Sequence, residues 1–182
     1  MMFGQGPLNG FRVSPRSIAD IRDTATRARA ALGFRWPVHM GHFLEQLVTY
    51  SITLDVVDNT GVLPPRVEAC WVPESLTLYL TERVYNAACV GDPRAVFTVF
   101  HEMGHALLGH RRTLNREVPG REIKTYEDSE WQANQFAAEF LMPLDEIVRY
   151  SLTSEALLTG RFGVSMDAAR IRLNRLRRAG EV

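Results

Sequence analysis

The chain has 182 residues, 46% of them hydrophobic, enough for one domain with a buried core; a 23% charged fraction is ordinary for a soluble protein. Lys+Arg and Asp+Glu both number 21, so bulk charge directs it neither to nucleic acid nor to a membrane surface. Cys70 and Cys89 form no C-x-x-C pair, no apolar stretch is long enough to span a membrane, and MMFGQGPLNGFRV lacks a leader pattern, so a cytoplasmic location is expected.

Residues 1–13 read as a tail, with four Gly or Pro in the first ten positions. Ser14-Pro15 reads as a helix N-cap and first-turn proline, with Ile18, Ile21, Ala25, Ala28 and Leu32 on one apolar face and Gly33 as the stop. A short helix over about 38–48 turns Phe43, Leu44 and Leu47 inward and leaves His39 and His42 as surface residues. Strands follow at Ser51–Val57, closed by the turn Asp58-Asn59-Thr60-Gly61, then at Arg66–Val72 and Ser75–Leu80. The edge of such a sheet offers a place for an extended peptide to add as a strand.

The next segment carries the chemistry. His101-Glu102-Met103-Gly104-His105 lies inside an apolar run, and Phe97, Phe100, Gly104 and Leu107 recur at helical spacing, which places the helix in the core. Two histidines four residues apart point about 40° from one another around a helix, so both rings reach one ion. Glu102 sits roughly 100° from His101 and is placed to take a proton from a metal-bound water rather than to bind the metal. Gly104 costs helix stability, which implies close approach by a neighbouring segment. Gly109 stops the helix, with His110 just beyond it. His110 does not fall where the long H-E-x-x-H-x-x-G-x-x-H pattern needs its third histidine, because that position is Arg111.

Catalytic zinc sites keep three protein ligands and one open position. The third is sought in a second helix, Asp128–Met142, ended by Pro143. There Glu130 and Asn134 lie one turn apart, so the glutamate can bind the metal while the asparagine supports a histidine. Glu139 lies about 180° from Glu130, so only one of the two can face the ion. The charged connection 111–127 borders the cleft; Tyr126 within it reads as a solvated loop residue and is left out of the site.

After Pro143 come helices over about 144–151, 153–162 and 165–178. The last two resemble a helix-turn-helix, with Gly163 at the turn and Ser165 as the next cap. Arg170, Arg172, Arg175, Arg177 and Arg178 are available either for phosphate or for solvent; the favoured reading packs the helix on the core through Ala168, Ile171 and Leu176.

Taken together, HEMGHALLGH and EWQANQFAAEFLMP resemble the blocks of the ImmA/IrrE family of zinc-dependent metallopeptidases. Met103 and Phe140 stand where that family usually has leucine, and the resemblance runs over roughly residues 14–178. It implies an α+β, zincin-like minimal metallopeptidase domain at 14–142, built from a small sheet, the HExxH helix and a Glu-bearing helix, with a helical, helix-turn-helix-like extension at 143–182. It also implies His101, His105 and Glu130 as Zn2+ ligands, Glu102 as general base, and an XRE-type helix-turn-helix repressor as protein substrate. Cleavage of such a repressor relieves repression of stress-response or mobile-element genes. Residues 1–13 are too few for the DNA-binding domain that some members carry in front, so the repressor is expected on a separate chain. The rival is a transcription-linked DNA- or partner-binding protein with a non-catalytic metal site. A structural zinc site is usually closed by four protein ligands and has no use for Glu102, which favours the peptidase.

Overall fold

The structure, a computed structural model, describes residues 10–58, 62–111 and 123–182. Among them the order is α1 (Ile18–Ala31), α2 (Met40–Glu45), β1 (Thr53–Val57), β2 (Ala69–Val72), β3 (Thr77–Thr81), α3 (Glu82–Cys89), α4 (Pro93–Leu107), α5 (Ser129–Leu141), α6 (Leu144–Arg149), α7 (Glu155–Phe162) and α8 (Met166–Arg178). The expected α+β class holds. No helix among the described residues is long and apolar enough to cross a membrane.

The start of α1 differs from expectation. Ser17, not Ser14, is the N-cap, and it forms a reciprocal capping box with Asp20. Residues 13–16 are claimed elsewhere: Val13 N–H donates to Glu127 O, Arg16 N–H to Tyr126 O, and Ser14 O accepts from the Gln132 amide. Residues 10–13, expected from composition to end a tail, instead run alongside the start of α5. Gly10 N–H donates to Asp128 Oδ2, Phe11 N–H to Ser129 Oγ, and Arg12 pairs with Glu127. Residues 1–9 lie outside the described residues.

Helix α2 buries Phe43 and Leu44 and continues as a 3-10 turn, Gln46–Tyr50, that buries Leu47; His39 and His42 are not buried, as expected. The sheet has the order β1-β3-β2, with β1 parallel and β2 antiparallel to β3. Strand β2 starts three residues later than its β-branched pattern predicts. Val67 N–H is bonded back to Pro64 O and Arg66 has φ 69°, so a turn occupies the expected first residues. The predicted turn at 58–61 lies largely outside the described residues.

Behind the sheet, α4 and α5 pack face to face. Phe100 on α4 stacks on Phe140 of α5 with centroids 4.5 Å apart, and Phe34 meets both edge-on at 5.0 Å. Phe140 and Met103 therefore fill the core, away from the polar face of these helices. The C-terminal helices match their predicted ranges to within a few residues, with Gly163 at φ 60° between α7 and α8 and Ser165 capping α8. Their Leu158, Phe162, Ala169, Leu173 and Leu176 join the same apolar core.

The packing face of α8 differs in detail from expectation. Ile171 is exposed, and Arg172 takes a fully buried position. Arg172 is held by two hydrogen bonds to Glu139 at 2.6 and 2.5 Å. Arg170 pairs with Asp167, Arg175 with Gln135, and Arg177 with the Thr153 carbonyl. Arg172 is thereby withdrawn from any contact with nucleic acid.

Candidate metal centre

Helix α4 begins at Asp92, whose carboxylate caps Ala95 N–H ahead of Pro93, so the helix axis is fixed two turns before the histidines. Gly104 lies where α4 meets α5: a Cβ there would sit 3.1 Å from both Ala133 Cα and Ala133 O. A side chain there would have to push this backbone away by a few tenths of an ångström, which agrees with the close approach the sequence implied. The close approach brings α5's Glu130 and Asn134, on either side of Ala133, up to the α4 histidines.

The three ligands expected from the sequence come together. His101 Nε2 lies 3.1 Å from Glu130 Oε2, His105 Nε2 lies 3.3 Å from Glu130 Oε1, and the two Nε2 atoms are 3.2 Å apart. One donor atom from each of the three residues falls within 4.8 Å of the others, the only such grouping among the described residues. Two imidazole nitrogens and a carboxylate suit zinc by donor type. The rest of each imidazole is tied down. Asn134 Oδ1 lies 3.0 Å from His101 Nδ1, the supporting role expected of that residue.

Sequence reasoning set His110 aside, and it is indeed not among the three converging residues. It is nonetheless part of the centre. The side chain is buried, its Nδ1 lies 3.0 Å from His105 Nδ1, and its Nε2 lies 3.0 Å from Gln132 Oε1. Gln132, on α5, is buried as well and donates through Nε2 to Ser14 O and Tyr126 O, both at 2.8 Å. The signal available in the sequence was the G-H pair at a helix end; its partner 22 residues away was not visible there. Most of the connection expected to border the cleft, residues 112–122, lies outside the described residues; Tyr126 is exposed, as expected.

Glu102 is half-buried, and its Oε2 accepts a 2.9 Å hydrogen bond from Trp71 N–H. Because β2 is an edge strand, this N–H points away from β3 and toward α4. One bond thus fixes the carboxylate beside His101 and sets the open edge of the sheet against the metal helix. Glu139, the competing glutamate, lies on the far side of α5. It is buried rather than exposed, and accepts from Arg172, Arg22 and Gln135.

The electrostatics follow from these contacts. Hydrogen bonds from His101 and His105 hold the Glu130 carboxyl well below the usual carboxylate range. Burial works against a charged His101, but the hydrogen bond with Glu130 and the nearby Glu102 carboxylate raise its proton affinity overall. Burial pushes His110 down from 6.5 to about 4, so it is neutral in the fold at pH 7. Between those two values the unfolded chain binds a proton that the folded chain refuses. Stability from this group is therefore complete above pH 6.5 and is lost as pH falls toward 4. The expected loss is on the order of 2–3 kcal/mol. Urea unfolding of the metal-free protein at pH 7.5 and 4.5 checks it, because His110→Phe lacks this component.

The Peptidase_M78 family model, described as the IrrE N-terminal-like domain, matches residues 72–174, more than half of the 182-residue chain. The matched stretch contains His101, Glu102, His105 and Glu130 but not the N-terminal segment that reaches Gln132. The solved structure of a Mycobacterium tuberculosis transcriptional regulator is similar in fold, with TM-score 0.52 and 20% identity. That likeness covers 82% of this chain and 45% of the other, so the chain spans less than half of that protein's length. No curated protein matches the sequence significantly.

Proposed function

The chain belongs to the Peptidase_M78 family of the IrrE N-terminal-like domain, and from that membership we propose that it is a zinc-dependent endopeptidase with a zincin-like catalytic region. His101, His105 and Glu130 hold the ion, and Glu102 is the general base. The observation that carries this reading is the convergence of two Nε2 atoms and one carboxylate from two helices packed at Gly104.

A zinc ion held there supplies Lewis acidity and a water acidic enough to lose its proton near neutral pH. The chain's own residues do the rest. Glu102 takes the proton of the attacking water and passes it to the leaving amine. Trp71 N–H keeps that carboxylate aimed while it is charged and lets it stay put once neutral. The substrate lies extended along the outer edge of β2, pairing with backbone groups of that strand other than Trp71 N–H, which Glu102 holds. This brings the scissile bond beside Glu102 through the strand that already touches it.

The substrate is an XRE-type helix-turn-helix repressor on a separate chain, cut in the cytoplasm so that stress-response or mobile-element genes are released. Cys70 and Cys89 both stand as thiols rather than in a disulfide, which fits a reducing compartment. The Mycobacterium tuberculosis protein that shares this fold is a transcriptional regulator, which agrees with a role near gene control. The domain division at 14–142 and 143–182 is kept as part of this reading, with α8 serving as a packing helix rather than a DNA reader.

The direct test mixes the purified chain, zinc and a repressor of this class, and maps products by mass spectrometry. Cleavage that a chelator stops and added zinc restores is the expected result. Cleavage that persists after the metal has been stripped would overturn the reading.

A further inference from the structure

The bonds around His110 form a directed chain whose polarity is set at its far end. Gln132 Nε2 spends both hydrogens on the Ser14 and Tyr126 carbonyls, so its Oε1 must be the atom that faces His110. An amide oxygen only accepts, so His110 carries its proton on Nε2. A neutral ring with its proton on Nε2 presents a lone pair at Nδ1. That lone pair accepts from His105 Nδ1–H across 3.0 Å. When His105 is neutral this leaves its lone pair on Nε2, the atom 3.2 Å from His101 Nε2 and 3.3 Å from Glu130.

We infer that His110 and Gln132 are positioning residues that hold His105 in its Nδ1–H tautomer, and so keep its Nε2 ready for metal. The inference rests on the ligand assignment proposed above. It adds that the N-terminal segment, through Ser14, and the turn before α5, through Tyr126, decide which nitrogen of a ligand is free. A solvated neutral histidine side chain prefers its proton on Nε2, the form in which His105 cannot bind through that atom. The acceptor at Nδ1 opposes both that preference and the pull of the Glu130 carboxylate on Nε2, 3.3 Å away.

His101 has its own acceptor at Nδ1, since Asn134 Oδ1 accepts directly there. The two ligands are therefore oriented by two independent devices, one at the exposed Asn134 and one buried. The buried device has no solvent to stand in when a member is removed.

The test uses the full chain in three forms: parent, His110→Phe, which keeps a ring but accepts nothing, and His110→Gln, which restores an acceptor. Long-range proton–nitrogen NMR on metal-free protein at pH 8 reports the His105 tautomer. Zinc titration against a competing chelator reports affinity. The parent is expected to show Nδ1–H at His105. His110→Phe is expected to shift it toward Nε2–H and to weaken zinc binding by about 10–100-fold, with partial rescue in His110→Gln. Gln132→Met is expected to act in the same direction, and the double variant with His110→Phe to bind no worse than His110→Phe alone, within about two-fold.

If His105 keeps the same tautomer and the same zinc affinity without His110, the inference is wrong. Additive losses from His110→Phe and Gln132→Met would overturn the directed chain in favour of two unrelated packing effects. If the parent itself binds no zinc, the ligand assignment fails instead; the tautomer measurement, which needs no metal, still decides the orienting role.

Discussion

Replacing Glu102 by glutamine is expected to lower peptide hydrolysis by roughly 10²–10⁴-fold while zinc affinity stays within about two-fold of the parent. The asymmetry follows from where this side chain sits. Glu102 contributes none of the three converging donor atoms, so its charge is not needed to hold the ion. Its carboxylate accepts from Trp71 N–H, and a glutamine carbonyl oxygen accepts the same bond with the same reach. The fold and the sheet edge beside α4 are therefore kept, and only the capacity to take a proton is lost. Single-turnover cleavage and zinc titration on the same preparation make the comparison. A variant that cuts at the parent rate would remove the general-base role from Glu102.

Truncating the two glutamates of α5 is expected to give opposite results. Glu130→Ala removes one of the three proposed ligands and should abolish tight zinc binding with little change in the stability of the metal-free chain. Glu139→Ala should leave zinc binding intact and lower stability by about 3–5 kcal/mol, or roughly 10 °C in melting temperature. The cost arises because Arg172 and Glu139 side chains are 1% and 0% exposed, so truncation strands a guanidinium with no water to receive it. The paired change Glu139→Leu with Arg172→Met, which removes both charges at similar volume, should recover most of the loss. Calorimetry with and without zinc on these variants separates the two roles. Metal loss in Glu139→Ala with metal retained in Glu130→Ala would reverse the ligand assignment.

Both predictions depend on features of unequal legibility. Glu102, His101 and His105 lie on one turn of one helix, and helix geometry alone fixes their relative directions. Gly104 announced a close neighbour without saying which, and Ala133 of α5 is the answer. The choice between Glu130 and Glu139 was half legible: the helical repeat put them on opposite faces, and only packing against α4 selected one. Burial of the other was hidden, because an isolated glutamate gives no sign that an arginine 33 residues away will meet it. The start of α1 misled for a related reason. Ser14-Pro15 and Ser17 both carry cap chemistry, and the contest was decided when residues near Tyr126 and Gln132 claimed the backbone of 13–16.

His110 marks the boundary most clearly. Its position after Gly109 was readable, and so was its failure to fit the long histidine pattern. What it does was not, since its task is defined by a bond to His105 on one side and to Gln132 on the other. Spacing within a helix is set by covalent geometry and the 3.6-residue repeat, and so the residues alone put His101, Glu102 and His105 on one turn and ended the helix at Gly109. Which glutamate meets the two histidines, which arginine is buried and which side chain faces His105 Nδ1 were decided by tertiary packing. Those outcomes depend on hydrogen bonds between segments as many as 118 residues apart, and local sequence carries no record of them.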